Sequence, residues 1–221
     1  MFRQLQDAVS TEIRGLLEGA LDGRELRREE AEKLLAVRGA DFHALLAAAD
    51  LARRQDCGDD VSYVVCRNIN FTNVCYVGCS FCGFARHKDD PVDAYDRSHS
   101  EILEKCQDAV DRGATEVCIQ GGIHPNKTHE HYRDILRAVK DGFPKLHIHA
   151  YSPEEIDFGH RKSGMALDEY LRWLVEAGLD TMPGTAAEIL DDEIRDILSP
   201  KKLRSARWVE IIRAAHGIGL R

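Results

Sequence analysis

The sequence predicts an α/β fold, made of about four strand–helix units of a TIM-type (βα) barrel with a layer of helices in front of them. From residue 61 onwards, short β-branched or apolar runs alternate with amphipathic stretches at helical spacing. Repeated strand–helix units build parallel sheets with right-handed crossovers. The residues before them show helical spacing alone. We therefore expect a helical extension over residues 1–60 and an incomplete barrel over residues 61–221.

The first 56 residues are predicted to be helical throughout. Val9, Ile13 and Leu17 recur at helical spacing, and residues 28–35 form a run of strong helix formers. A third segment, 41–55, carries apolar residues on one side and charged residues on the other. We expect these helices to cover one side of the domain that follows.

Four strand–helix units then follow in order. The predicted strands cover residues 61–71, 115–120, 145–149 and 179–182. The predicted helices cover residues 100–112, 129–140, 166–177, a segment ending near 198, and 206–216. A complete barrel of eight units needs about 250 residues. We therefore expect the chain to be the N-terminal part of a longer protein, and an open sheet edge to make it fold poorly or associate on its own.

The composition is that of an ordinary globular protein, with 43% hydrophobic and 31% charged residues. No apolar run is long enough to span a bilayer, and no signal peptide is apparent at the start. The net charge is −8 without a basic stripe, which argues against nucleic acid as a partner. We expect a cytoplasmic protein that binds neither membrane nor nucleic acid.

Three cysteines dominate the loop after the first predicted strand. Cys75, Cys79 and Cys82 have the spacing C-x3-C-x2-C. A 4Fe-4S cluster normally takes four cysteine ligands, so three would leave one iron open to a ligand that is not protein. A zinc site needs four ligands, and His87 offers a fourth, so a zinc-stabilised binding module is the alternative from another class. A disulfide is disfavoured because nothing indicates an oxidising compartment.

The other four cysteines are scattered among apolar residues. We interpret Cys57, Cys66, Cys106 and Cys118 as packing residues rather than ligands. Seven cysteines without a secretory signal favour metal or redox use over disulfides.

Polar residues and glycines follow the later predicted strands, at the end where βα barrels carry their reactive groups. After the second strand, Gln120–Gly121–Gly122 would let backbone approach a ligand, although an ordinary tight turn is the alternative. Strand alternation puts His147 and His149 on one face, and Ser152 follows them. After the fourth strand, Glu188 could accept hydrogen bonds from ribose hydroxyls. Alternatively, it could lie in the first turn of a helix and interact favourably with the helix dipole.

Several stretches resemble one subfamily of the radical S-adenosylmethionine (radical SAM) enzymes, the subfamily that makes aromatic cofactors. The resemblance runs from about residue 35 to the end and is carried by residues 67–75, the cysteine loop, 114–125 and 178–190. Two segments favour the CofH-like branch: Cys-Tyr-Val-Gly-Cys in the cysteine loop, residues 75–79, and Pro-Gly-Thr-Ala-Ala-Glu, residues 183–188. That branch is the 5-amino-6-(D-ribitylamino)uracil–L-tyrosine 4-hydroxyphenyl transferase of FO synthase, in coenzyme F-420 biosynthesis. Aminofutalosine synthase and the dehypoxanthine futalosine cyclase of menaquinone biosynthesis remain alternatives.

The resemblance implies a cofactor set and a reaction. It places a 4Fe-4S cluster on Cys75, Cys79 and Cys82, and SAM on the open iron. Contacts to SAM would come from the remaining candidates, which are Gln120, Gly121, Gly122, Ser152 and Glu188. Cleavage of SAM gives a 5′-deoxyadenosyl radical, which takes a hydrogen atom from L-tyrosine. The Cα–Cβ bond breaks, and the hydroxybenzyl fragment adds to the ribitylaminouracil.

The resemblance also implies a partner, because a CofG-like radical SAM enzyme would cyclise the product to FO. Neither the electron donor nor a catalytic side chain is indicated. Because later strands close the substrate cavity in this family, we expect the 221-residue chain to be inactive by itself.

Overall fold

The chain divides between Tyr63 and Val64 into two units. A computed structural model describes residues 8–87, 89–90 and 92–221. The part of the helical prediction that falls on residues 1–7 lies outside the described residues.

The first unit is helical, as predicted for the residues described. Ser10 caps its first helix by accepting a hydrogen bond from the N–H of Ile13. A small core of its own is formed by Ile13, Leu17 and Leu34. The three helices are α1 (Thr11–Leu21), α2 (Arg28–Ala36) and α3 (Gly39–Cys57).

The second unit is built on a parallel sheet, which confirms the predicted α/β class. The strands are β1 (Cys66–Asn70), β2 (Glu116–Gln120) and β3 (His147–Ala150), in that spatial order. The helices are α4 (His99–Asp111), α5 (His129–Gly142), α6 (Pro153–Ser163), α7 (Leu167–Glu176), α8 (Asp192–Leu198) and α9 (Ser205–Gly217). None of the helices within the described ranges is long and apolar enough to cross a membrane.

Two predicted strands are much shorter in the structure, and the other two are each one residue shorter. The first begins at Cys66 rather than at residue 61, because its register starts opposite Glu116, the first residue of β2. The predicted fourth strand is reduced to a single parallel bridge between His149 and Thr181. There the Asp180 carboxylate accepts the N–H of Ile148 at 2.7 Å. In a longer strand pairing this backbone N–H would donate to a carbonyl of the fourth strand instead.

One helix was not predicted. The segment after β3 was expected to be a loop, but α6 occupies it. Ser152 accepts the N–H of Glu155 at 3.3 Å, and Glu155 accepts the N–H of Ser152 at 2.7 Å. This is a capping box, with Pro153 at the first helical position. The Ser-Pro-Glu-Glu sequence was therefore a helix start signal that the prediction overlooked.

The two faces of the sheet have opposite character. The covered face packs against the helices and has no solvent exposure; it carries Ile69, Val117, Ile119, Ile148 and Ala150. The open face is polar and partly exposed; it carries Asn68, Glu116, Cys118, Gln120, His147 and His149. Alternation along each strand separates these sets, and it confirms the prediction that His147 and His149 share a face.

Only part of the prediction for the four scattered cysteines is correct. Cys106 is buried and Cys118 is half-buried, whereas Cys57 and Cys66 are exposed. Cys57 is the last residue of α3. Cys66 is the first residue of β1, which lies at the edge of the sheet.

Candidate cofactor site

The cysteine loop is tied to its surroundings by backbone hydrogen bonds. The N–H of Cys75 donates to the carbonyl of Arg86 at 3.1 Å, and the N–H of Tyr76 donates to the carbonyl of Ile123 at 3.1 Å. The first bond closes the loop on itself. The second joins it to the segment after β2, so the loops that follow two neighbouring strands are held together.

A cavity of about 250 Å³ lies between these loops. Its wall contains every residue that the sequence singled out for cluster or cofactor binding. These are Cys75, Cys79, Cys82, Gln120, Gly121, Gly122, Ser152 and Glu188. Residues that were not proposed as ligands also line it, among them Phe81, Phe84, Glu155, Thr185 and Lys202.

The three thiols of the loop line the same cavity. A 4Fe-4S cluster takes cysteine thiolates as ligands, whereas a structural zinc ion needs four ligands around one centre. His87, the fourth ligand of the zinc alternative, lies outside the cavity wall and faces Asp89, with Nδ1 and Oδ2 3.3 Å apart. Burial raises the pKa of the Cys79 thiol, and Lys202 opposes that rise.

The glycines after β2 are required by close packing. A Cβ on Gly122 would lie 2.3 Å from the carbonyl oxygen of Val74, and one on Gly121 would lie 2.7 Å from the Phe71 ring. The N–H of Gly122 donates to the carbonyl of Thr72 at 2.8 Å. The turn therefore sits directly against the start of the cysteine loop, where any side chain would push the two apart.

A buried carboxylate supports this turn from below. Glu155 accepts the N–H of Gly121 at 2.9 Å with one oxygen. With the other it accepts the N–H and the hydroxyl of Ser152, both at 2.7 Å. Burial raises the pKa of Glu155 to about 7. Ser152 thus reaches the cavity wall while its hydroxyl holds Glu155 in place.

The loop that carries Glu188 forms another part of the cavity wall. Glu188 precedes α8, which starts at Asp192, so the prediction that it could serve in the first turn of a helix is wrong. Its Oε1 lies 2.6 Å from the ammonium of Lys202. Lys202 was missed because it stands in an irregular segment between two helices, without a motif around it.

The shape of this loop is fixed by a buried guanidinium. Arg195 is 2% exposed and donates hydrogen bonds to the carbonyls of Ala187 at 2.7 Å, Ile189 at 3.0 Å and Leu203 at 2.6 Å. Within the loop, Glu188 adopts a positive φ of 41°, which few residues other than glycine accept. The cavity wall therefore depends on a cation in α8 that binds backbone oxygens.

The match to known proteins covers most of the chain. The profile of the Radical SAM superfamily matches residues 69–221. An FO synthase of Streptomyces coelicolor is 48% identical over 216 residues, which are 97% of this chain and 25% of that protein. A 5-amino-6-(D-ribitylamino)uracil–L-tyrosine 4-hydroxyphenyl transferase of Methanothermobacter thermautotrophicus is 42% identical over 212 residues, 96% of this chain and 57% of that protein. The chain therefore spans about a quarter of the first relative and little more than half of the second.

The fold has solved counterparts. A crystal structure of methylornithine synthase (PylB) superposes with a TM-score of 0.65 at 20% identity, covering 93% of this chain and 56% of that one. At this identity the likeness speaks for the fold alone.

Proposed function

The chain belongs to the radical SAM superfamily, and on that basis we propose that it forms the cluster-binding and SAM-binding part of a tyrosine 4-hydroxyphenyl transferase. The superfamily implies a 4Fe-4S cluster and SAM. The substrates that we propose are L-tyrosine and 5-amino-6-(D-ribitylamino)uracil, as named for the relative from M. thermautotrophicus. The observation that carries the proposal is the single cavity lined by three cysteines, a glycine turn and Glu188.

Cys75, Cys79 and Cys82 would hold the cluster. When bound, the cluster and SAM supply the radical that begins the reaction, and the protein supplies position and surroundings. Phe81 and Phe84 line the mouth of the cavity and would limit the access of water to the cluster.

The glycine turn and the loop of Glu188 would hold SAM. The N–H groups of Gly121 and Gly122 are already bonded to Glu155 and Thr72. The turn therefore offers carbonyl oxygens, which suit the ammonium of the methionine moiety of SAM. In another part of the wall Glu188 can accept hydrogen bonds from ribose hydroxyls, and Lys202 beside it supplies positive charge.

The hydroxybenzyl product would pass to a CofG-like radical SAM enzyme that closes the deazaflavin ring, as the sequence resemblance implies. We place the work of the protein in the cytoplasm, because cluster cysteines need a reducing compartment.

Metal loading of single cysteine variants tests the cluster assignment. After reconstitution with iron and sulfide without oxygen, Cys75→Ala, Cys79→Ala and Cys82→Ala should each lose the bound iron and the brown absorption near about 400 nm. Cys57→Ala is the matched control, because Cys57 is exposed at the end of α3, outside the cavity wall. Iron loading that survives all three substitutions, or purification with zinc instead of iron, would contradict the assignment.

Product analysis tests the transferase assignment. The product of the complete reading frame, with its cluster, is incubated with SAM, dithionite, L-tyrosine and 5-amino-6-(D-ribitylamino)uracil. Mass spectrometry should then show both the hydroxybenzyl adduct and 5′-deoxyadenosine. Deoxyadenosine without adduct would retain the family chemistry and refute the proposed substrates.

A further inference from the structure

A row of polar side chains crosses the open face below the cofactor cavity. Asn68 pairs in register with Cys118, and Cys118 pairs with His149. Thr181 continues the row through its bridge to His149. The row is connected to the cavity by Gln120, which lines the cavity and places its amide Nε2 3.6 Å from the Cys118 sulfur.

Two histidines meet at one hydroxyl in this row. The Oγ1 of Thr181 lies 2.7 Å from Nδ1 of His149 and 2.8 Å from Nε2 of His147. The backbone fixes this hydroxyl, because the N–H of Ala150 donates to the Thr181 carbonyl at 3.0 Å. Backbone pairing thus holds Thr181 next to β3, the strand that carries both histidines.

A hydroxyl has a single proton, so it can donate to one histidine nitrogen and must accept from the other. When Thr181 donates to His147, Nδ1 of His149 carries a proton and its Nε2 is a free base. When Thr181 donates to His149, Nε2 of His149 carries the proton instead. Both bonds form only if the two neutral rings have the same tautomer. Burial lowers the pKa of His149, which favours its neutral form at neutral pH.

We propose that His149, Thr181 and His147 form a proton relay whose outer end, Nε2 of His149, takes the phenolic proton of the bound tyrosine. This proposal rests on the function proposed above. His149 stands beside Cys118, two residues below the strand end at Gln120, which is about 7 Å along the strand. That distance is similar to the reach of a tyrosine side chain from Cβ to its hydroxyl. A tyrosine with its Cα–Cβ bond at the cavity can thus point its phenol at His149.

The transfer is balanced and reversible. The phenol O–H bond breaks, its electron pair stays on oxygen, and an N–H bond forms at Nε2 of His149. The Nδ1 proton of His149 moves to Thr181, and the hydroxyl proton of Thr181 moves to Nε2 of His147. His147 ends as an imidazolium. The same steps in reverse return the proton, so no other reactant is consumed.

The surroundings favour the charged end state. Oε2 of Glu116 lies 3.8 Å from Nε2 of His147 and faces the imidazolium. The nearest other acid next to Thr181 is Asp180, which is paired with Lys140 at 2.6 Å. Cys66 and Cys118, the neighbouring thiols, have pKa values raised by burial and stay neutral.

Histidine tautomers test the relay without any cofactor. In the chain labelled with nitrogen-15, ring nitrogen shifts should show His147 and His149 in the same tautomer at neutral pH. Thr181→Ser should keep this coupling, and Thr181→Val, which is similar in shape and lacks the hydroxyl, should abolish it. Opposite tautomers in the unmodified chain would overturn the relay, and so would tautomers that are unchanged by Thr181→Val.

Turnover tests the role of the relay toward the phenol. In the holoenzyme made from the complete reading frame, Thr181→Val should lower the rate of adduct formation about 100-fold, because the proton taken up by His149 can no longer pass to His147. Thr181→Ser should retain most activity, and Thr115→Val is the matched control at an exposed threonine. With a ring-fluorinated tyrosine, whose phenol is more acidic, the loss in Thr181→Val should shrink.

The outcomes separate this proposal from the proposed function. If the unmodified holoenzyme makes no adduct, the proposed substrates fail, and the relay's role toward the phenol fails with them, whatever the tautomers show. If it makes adduct and Thr181→Val does so at the same rate, the relay has no catalytic role. If Thr181→Val loses as much activity with the ring-fluorinated tyrosine as with tyrosine, the relay does not act on the phenolic proton.

Discussion

The covered face and the open face of the sheet come from the same strand residues in alternation, yet they serve different ends. Ile148 is fully buried, whereas its neighbours His147 and His149 are half-buried and polar. The covered face supplies the apolar burial that stabilises the unit. The open face carries hydrogen-bonding and titratable groups that are only partly buried. We therefore expect substitutions on the covered face to change stability, and substitutions at the next residue of the same strand, on the open face, to change chemistry.

The largest effect on stability is expected on the covered face. Ile148→Ala removes a fully buried side chain from the core around β3. The loss of apolar burial and the cavity left behind should lower the free energy of unfolding by about 2–5 kcal/mol. Urea unfolding of the chain, followed by circular dichroism, measures it. A loss under about 1 kcal/mol would mean that the covered face is not the main source of stability.

The second effect concerns Glu155, a buried residue of α6 whose carboxylate also supports the glycine turn in the cavity wall. Burial raises its pKa from 4.5 to about 7, so the folded chain binds this proton more tightly than the unfolded chain. The contribution of Glu155 to stability is therefore fully present below about pH 4.5 and is lost as the pH rises through about 7. The loss is of order 3 kcal/mol. Because His131 opposes this decline over nearly the same range, Glu155→Gln should make the free energy of unfolding rise between about pH 4.5 and 6.5.

His131 acts in the opposite direction and provides the control. Burial lowers its pKa from 6.5 to about 4, so its contribution is present above about pH 6.5 and is lost as the pH falls through about 4. His131→Gln should remove that loss at low pH and leave the decline between pH 4.5 and 7 steeper. Identical pH profiles for the parent chain and both variants would refute the account.

The smallest effect is expected on the open face. Asn68 is exposed on an edge strand and lies in the polar row next to Cys118. Asn68→Ala should change the free energy of unfolding by no more than about 0.5 kcal/mol. The same urea experiment measures it beside Ile148→Ala. A loss as large as that of Ile148→Ala would erase the distinction between the two faces.

The sequence predicted the features that depend on local pattern. The parallel α/β class, the position of the cysteine loop at a strand end and the shared face of His147 and His149 follow from periodicity and from spacing. Helix α6 carried a local signal as well, in the capping box from Ser152 to Glu155, but the signal was not used. These features are written in neighbouring residues, so a single sequence contains them.

Features that depend on distant contacts were not predicted. The fourth strand shrank to a bridge because the carboxylate of Asp180 takes a backbone donor of β3. Lys202 reaches the cavity wall only because its segment folds back onto Glu188, fourteen residues earlier. Neither contact has a periodic signature, because each joins positions that become neighbours only when the chain is folded.

Arg195 has a consequence for how this protein can change over time. It holds the Glu188 loop through backbone carbonyls, and every amino acid supplies one of those. We therefore expect positions 187 and 189 to accept other side chains while the backbone of the loop keeps its conformation. The guanidinium has no such freedom, since a lysine presents fewer donors in a different geometry. Related sequences should thus show variation in the loop and strict retention of the arginine that organises it.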